Sequence, residues 1–259
     1  MSGAQLPALF VSHGAPTLPL DVQHPTHAFL KGLGATLPAP KAILVISAHW
    51  DTRHPTLTTS ASPETIHDFY GFPEELYRMR YPAPGSMDLV QATAKRLEGA
   101  GLEVHADEAR GLDHGAWVPL LLMYPKAQIP VVQLSLQTSA GAAHHLAVGQ
   151  ALAPLRDEGV LLLASGGATH NLREFFRPAP GQDESYVPRF SSWLKDTLEK
   201  GDTASLVDYR RLAPDAARAH PSEEHFFPVL VAAGAAGKGE RIHTAMSGAS
   251  LSMDAYKFA

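Results

Sequence analysis

The amino-acid sequence predicts a single α/β domain, a mainly parallel central sheet flanked by helices, with a metal site at the carboxyl ends of the strands. Apolar runs without polar alternation at residues 7–12 (PALFVS), 41–50 (KAILVISAHW) and 160–164 (VLLLA) read as strands buried on both faces. Helix-type stretches alternate with them, the pattern of an α/β sheet. Each run is followed within a few residues by a histidine: His13, His49 and His170 in turn. Functional groups in open α/β sheets gather beyond the carboxyl ends of the strands. Neutral imidazoles converging there are what a divalent metal ion needs.

Composition supports one catalytic-size domain over residues 1–259 and narrows the chemistry. A hydrophobic content of 45% with 18% charged residues is that of a globular protein. No apolar run approaches the roughly 18 to 20 residues of a membrane span. The opening MSGAQLPALF has no basic region and enters a strand directly, so a secretory signal is not expected and a cytoplasmic location is. A net charge of −5 argues against nucleic acid as the partner. Cysteine is absent, which removes disulfides, thiolate metal sites and cysteine nucleophiles together and leaves His, Asp and Glu as ligands. Fourteen histidines are too many for one site, so position has to decide which matter. A homodimer is compatible with the chain, but no heptad or exposed seam points to one.

Taken in order, the strand at 7–12 turns at His13-Gly14-Ala15-Pro16, and a short helix follows at about 26–37. His24 and His27 are three apart, but Pro25 between them weakens any reading as a ligand pair. After the strand ending at His49 come a polar strand at about 55–60 and a loop-like stretch at 61–85, rich in aromatics and proline. Long loops of this kind tend to be functional, and His67, Phe69, Tyr70 and Tyr77 are its candidates for a wall against a flat ligand. A helix at 86–98 places Leu89, Val90, Ala94 and Leu97 on one side, and a short strand at 102–106 follows. Asp113 can cap the apolar helix at 118–123, with His114 at its buried start. A strand at 130–136 and an alanine-rich helix at 140–156 come next. His144 and His145 on that helix point about 100° apart and read as surface or edge residues.

The strand at 159–164 passes through a glycine-rich turn to His170; its glycines lack the Lys and spacing of a P-loop and read as letting backbone pass close to a site. Val187, Phe190, Leu194 and Leu198 give the segment 187–198 one inward face. Ser222 reads as the N-cap of a long apolar helix at 226–236, with His225 in its first turn. Strand-like segments at 241–246 and 251–258 follow.

Seven short motifs run in order over essentially the whole chain: SHGAP at 12–16, SAHW at 47–50, FYGFP at 69–73, DHGAWVPL at 113–120, SGGATHNL at 165–172, HPSEEH at 220–225 and SMDAY at 252–256. Together they resemble the DOPA 4,5-dioxygenase branch of the class III extradiol ring-cleavage dioxygenases. The resemblance implies one α/β domain and a mononuclear non-haem metal, iron(II) in active members and zinc(II) bound in some. It implies His13 and His49 as metal ligands, and His225 as the third, where the wider class has a glutamate. His170 matches an acid/base histidine that could also complete a four-histidine zinc shell, and His114 matches a substrate-facing histidine. The reaction implied is insertion of O2 into a DOPA-like catechol with cleavage outside the diol to a semialdehyde, so the partners are a small aromatic diol and O2.

The histidine at 225 departs from the two-histidine, one-carboxylate pattern of iron oxygenases. Neutral ligands alone leave the ion's charge uncompensated until an anionic substrate arrives, and zinc could then occupy the site. Glu223 and Glu224 stand beside His225, and either could supply the missing carboxylate. A zinc-dependent hydrolase using the same cluster, or a silent metal- or ligand-binding protein, are the alternatives.

Overall fold

The unbroken apolar runs become the middle of a sheet because both of their faces are covered. The computed structural model describes residues 5–177, 181 and 183–259; the opening stretch weighed as a secretory signal begins in residues 1–4, outside these. In chain order the elements are β1 (Ala8–Ser12), α1 (Pro25–Leu33), β2 (Ala42–Asp51), β3 (Thr56–Thr58), α2 (Glu74–Arg78), α3 (Met87–Gly99) and β4 (His105–Asp107). Next come α4 (His114–Met123), β5 (Val131–Leu136), α5 (Gly141–Leu152), β6 (Val160–Gly166), α6 (Leu172–Phe176) and α7 (Tyr186–Lys200). The short helices α8 (Thr203–Val207), α9 (Tyr209–Leu212) and α10 (Ala216–Ala219) precede α11 (Phe227–Ala236). β7 (Gly239–His243), β8 (Met246–Ser247), β9 (Leu251–Ser252) and β10 (Ala255–Phe258) follow.

Eight of the strands form one sheet in the order β4-β3-β5-β2-β6-β1-β10-β7, and β8 pairs with β9 apart from it. β5, β2, β6 and β1 are mutually parallel neighbours, so their carboxyl ends share one edge of the sheet. β10 pairs antiparallel to β1 and to β7. Along β2, Ile43 and Val45 enter one apolar core while Leu44 and Ile46 enter the other, as a period of two requires. Each such side chain, fully buried, contributes about 1.5–3 kcal/mol. α5, α7 and α11 pack on the Leu44 side, and α1 and α4 on the Ile43 side.

Several bounds differ from the sequence expectation. The helix expected at 26–37 stops at Leu33 and continues only as a 3₁₀ turn over Gly34–Thr36. The strands expected at 55–60 and 102–106 shorten to β3 and β4, the last two strands at one end of the sheet: among the described residues β4 pairs only with β3, and β3 meets β5 at the single position Leu57↔Leu134. The loop at 61–85 contains α2, entered from Pro73. α4 begins at His114 rather than 118, with Asp113 accepting from the Ala116 amide as its cap. Ser222 does not cap α11: that helix starts at Phe227, and the Ser222 hydroxyl donates to Glu224 Oε1 at 3.0 Å. His225 therefore stands in the turn before the helix. His145, read as a surface or edge residue, is buried and stacks on Phe227 with ring centroids 4.4 Å apart. No helix among the described residues is long and apolar enough to cross a membrane.

Candidate metal centre and active site

Three central strands deliver the histidines to one edge. His13 follows β1 directly, and His170 follows β6 through the turn at Gly167–Thr169. His49 lies within β2, which runs on to Asp51 instead of ending at the histidine. Between Ile46 and Asp51 its register with β5 shifts, and such an irregularity re-aims a side chain. Ser47 Oγ donates to Asp113 Oδ1 at 2.7 Å, Arg110 Nη2 donates to the His49 carbonyl at 3.2 Å, and Arg110 also reaches Asp113 Oδ2 at 3.1 Å. The residue that caps α4 thus also fixes the strand segment that carries His49.

Ring nitrogens of His13, His49 and His225 all lie within 4.8 Å of one another. In each ring the Nδ1 side faces a partner. His225 Nδ1 is 3.0 Å from Glu224 Oε1, and His49 Nδ1 is 3.7 Å from Asp68 Oδ2. For His13 the partner is set by a proline. Pro119, inside α4, has no N–H to give the Gly115 carbonyl one turn back. That carbonyl accepts the Ser165 hydroxyl instead, so the Ser165 oxygen is left to accept from His13 Nδ1 at 3.0 Å.

Every Nε2 lone pair therefore turns inward. His13 Nε2 and His49 Nε2 are 3.0 Å apart, the separation of two nitrogens each about 2.1 Å from one ion at roughly a right angle. His225 Nε2 is buried without a hydrogen-bond partner among the described residues. Burial first, then the neighbouring imidazoles, pushes His13 and His225 well below the ordinary histidine pKa. His49 is lowered to about 3 by burial and His114, against the opposing pull of Asp68 and Glu224. Neutral imidazoles with partnered second nitrogens are the donor set a divalent ion takes, so the residues fit a metal.

Close approach of backbone makes this possible at two glycines. A Cβ on Gly166 would stand 2.3 Å from the His225 carbonyl, and one on Gly115 would stand 2.3 Å from Ser47 Oγ and 3.0 Å from His49 Cδ2. The glycine-rich turn is thus a packing device beside His225, as its sequence indicated.

A cavity of about 440 Å³ opens over the cluster, lined by His13, His49, His114, His170 and His225 at one end. His170 lies flat on His225, ring centroids 3.3 Å apart at 7°. Burial, with the nearby imidazoles and against Glu224, holds His170 at about 4. It groups with Glu224 and His225, not with the His13 trio. Phe69 and Tyr70 line the cavity; His67 and Tyr77 do not, and instead pack behind Phe69, with His67 Nε2 3.1 Å from the Met79 carbonyl. His24 caps α1 and His27 Nδ1 bonds the Leu18 carbonyl, both away from the cluster.

Asp68 had no role in the sequence reading. Its Oδ1 accepts from the His114 amide at 3.0 Å and lies 2.9 Å from His114 Nδ1. Burial alone would raise its carboxyl, but His114 and His49 outweigh it and hold Asp68 at about 2. Its only signal was its place inside the aromatic run that opens with His67. Glu224 lies between His225 and His170, 3.0 and 4.0 Å from their Nδ1 atoms, so it backs the histidines rather than standing in for a missing ligand.

Residues 7–259 match the family described as the catalytic LigB subunit of aromatic ring-opening dioxygenase. The chain belongs to this family. Ring-opening dioxygenase is the enzyme class this match supports. This LigB-type chain is 46% identical over 255 residues to a 4,5-DOPA dioxygenase extradiol of Beta vulgaris, covering 96% of this chain and 95% of that one. It is 41% identical to the protein of that name in Escherichia coli (strain K12), covering 98% and 94%. A dioxygenase of Hapsidospora irregularis, tasH, is 37% identical, covering 91% and 80%. The crystal structure of an uncharacterized protein from Escherichia coli K12 superposes with a TM-score of 0.79 at 35% identity, covering 98% of this LigB-type chain and all of the other.

Proposed function

We propose that the chain binds one divalent ion through His13, His49 and His225 and cleaves a catechol outside its diol, adding both atoms of O2 to give a semialdehyde. The observation that carries this is the set of three inward Nε2 atoms, each on a ring whose Nδ1 side is already partnered. Iron(II) bound there would supply the Lewis acidity that lets a catechol ionise and a route for electrons from ring to O2, whereas zinc(II) would supply the first alone.

The remaining residues act on substrate and protons. Phe69 gives the ring an apolar wall at the cavity. His114, with Nδ1 turned to Asp68, keeps Nε2 for a hydrogen bond to the bound diol. His170, lowered to about 4 by burial, is neutral with a lone pair to offer, and Glu224 acts against that lowering to favour the protonated form. With Nδ1 toward Glu224, Nε2 is the atom that takes the catechol proton and returns it as the ring opens. Glu224 at 4.0 Å stabilises the imidazolium in between. His170 acts in this scheme as acid/base rather than as a fourth ligand, supported by its grouping away from the trio.

The test is anaerobic reconstitution of metal-free protein with iron(II) or zinc(II), followed by oxygen uptake and visible absorbance on adding DOPA and simple catechols. Iron alone should give uptake and a yellow semialdehyde. Uptake with neither metal on any catechol would sink the reading.

A further inference from the structure

The two short strands at one end of the sheet bring together a second group of metal-type side chains. His54 stands between β2 and β3, Glu103 in the segment that joins α3 to β4, and His105 opens β4. One ligand atom from each lies within 4.8 Å of the other two. The Glu103 carboxylate reaches both imidazoles: Oε1 is 2.9 Å from His105 Nε2, and Oε2 is 3.7 Å from His54 Nδ1. The two rings stack, with centroids 4.9 Å apart at 6°. None of the three lines the cavity over the His13 trio.

The backbone holds both histidines in place without an ion. β3 and β4 run parallel with Thr56 opposite His105, and the His105 amide donates to the Pro55 carbonyl at 2.8 Å. The His54 carbonyl accepts the Thr52 hydroxyl at 2.7 Å and the Thr56 hydroxyl at 2.8 Å. Side chains that start from fixed backbone have less freedom to lose when they bind.

The chemistry of the three groups suits a divalent ion of the zinc class. Two ligand atoms, each about 2.0–2.1 Å from a tetrahedral zinc, stand roughly 3.3–3.4 Å apart. The separations of 2.9 and 3.7 Å fall on either side of that distance, so small side-chain rotations bring the carboxylate and both rings onto one ion. His54 Nε2 and His105 Nδ1 have no partner among the described residues, and both rings are partly exposed. Water can therefore take the hydrogen of each outer nitrogen and leave the facing nitrogen its lone pair. His105 first, then His54, with Arg53 the weakest of the charges, holds the Glu103 carboxyl below its ordinary range, so it is an anion at neutral pH. Two neutral imidazoles and one carboxylate make a zinc set with a fourth position left for water.

We propose that His54, Glu103 and His105 form a second divalent-ion site, of zinc type, which clasps the segment after β2 to the start of β4. It is separate from the trio of His13, His49 and His225 and does not depend on what that trio does. With the ion in place, β4 gains a tie beyond its three-residue pairing with β3. An ion that binds the folded chain alone raises its stability by mass action.

The test titrates the full chain, stripped of metal, with zinc and follows the histidine side chains by NMR. The resonances of His54 and His105, assigned by their loss in His54→Ala and His105→Ala, should shift together. Equilibrium dialysis with metal analysis should find one zinc fewer per chain in each of these variants than in the unsubstituted protein. Glu103→Gln, which keeps the shape and removes the charge, should weaken the site about tenfold or more. The rise in melting temperature that zinc gives should shrink in all three. Resonances of His54 and His105 that stay in place through the titration overturn the proposal, as does a zinc count unchanged in both histidine variants. Shifts that appear only above roughly 1 mM zinc, the affinity of casual surface contact, overturn it too. If His54 and His105 respond while His13, His49 and His225 take up no ion, the reading of the catalytic centre fails and this site stands.

Discussion

Ser165 Oγ accepts from His13 Nδ1 at 3.0 Å because its own proton is spent on the Gly115 carbonyl that Pro119 leaves free. The hydroxyl therefore decides which nitrogen of His13 carries hydrogen, and Nε2 is the one left to bind. Ser165→Ala removes that decision while adding no bulk. Metal affinity should fall about 10- to 100-fold, the usual effect of losing an outer hydrogen bond to a ligand. Metal titration followed by fluorescence or calorimetry measures it, and circular dichroism should show the fold retained.

Gly166 touches the His225 carbonyl so closely that a methyl group cannot enter without moving it. Gly166→Ala should cost about 1–3 kcal/mol of stability, as overpacking does, and lower metal content with it. Gly99, with open space around its Cβ direction at the end of α3, is the control. Gly99→Ala should be neutral or stabilising by up to ~1 kcal/mol. Denaturant midpoints with metal analysis read both; equal effects at the two positions would contradict the contact.

Replacing His170 separates its two possible roles. His170→Ala should cut turnover of iron-loaded protein about 100-fold or more, in line with loss of a general acid/base. Metal content should stay near that of the parent protein. A parallel loss of both would make His170 a ligand.

Acid should destabilise the fold through histidines outside the cluster. Burial, chiefly, lowers His145 to about 4 and His220 to about 3. His145 is built to be neutral: Nδ1 bonds the Gly141 carbonyl at 2.8 Å and Nε2 accepts from the Gln137 amide at 3.2 Å. An unfolded histidine takes its proton near pH 6.5, so below that the unfolded chain binds more protons and stability falls with pH. The stability is full above about pH 6.5 and is lost as pH drops toward 4, His145 accounting for up to ~3 kcal/mol. Urea melts at several pH values test this. His145→Gln, which can keep one donor and one acceptor, should flatten the slope.

Much of the site was legible because parallel strands announce themselves as unbroken apolar runs and their ends are few. His13, His49 and His170 could be placed at one edge before any coordinates, and the motif HPSEEH marked His225. What the sequence hid lies in backbone detail. Ser222 has the chemistry of an N-cap, yet Pro228 and the turn at His225 put the helix start further on, and the serine serves Glu224 instead. His67 and Asp68 are neighbours in a loop without periodicity, so no pattern says which one faces inward; the aspartate does. His145 looked peripheral because an alanine-rich helix has no clear polar face, and only its packing on Phe227 shows it buried.

The pairing of β1 with β6 and of β6 with β2 joins segments far apart along the chain, and the trio needs His225 from still further on. A chain that extends only through His13 and His49 has two of the three ligands proposed for the metal and no means of closing the site. High contact order makes such long-range pairing slow. The proposed three-histidine site is therefore complete only once the sheet has assembled and the turn before α11 is in place. An ion held by His13, His49 and His225 as proposed would cross-link three segments that lie far apart along the chain.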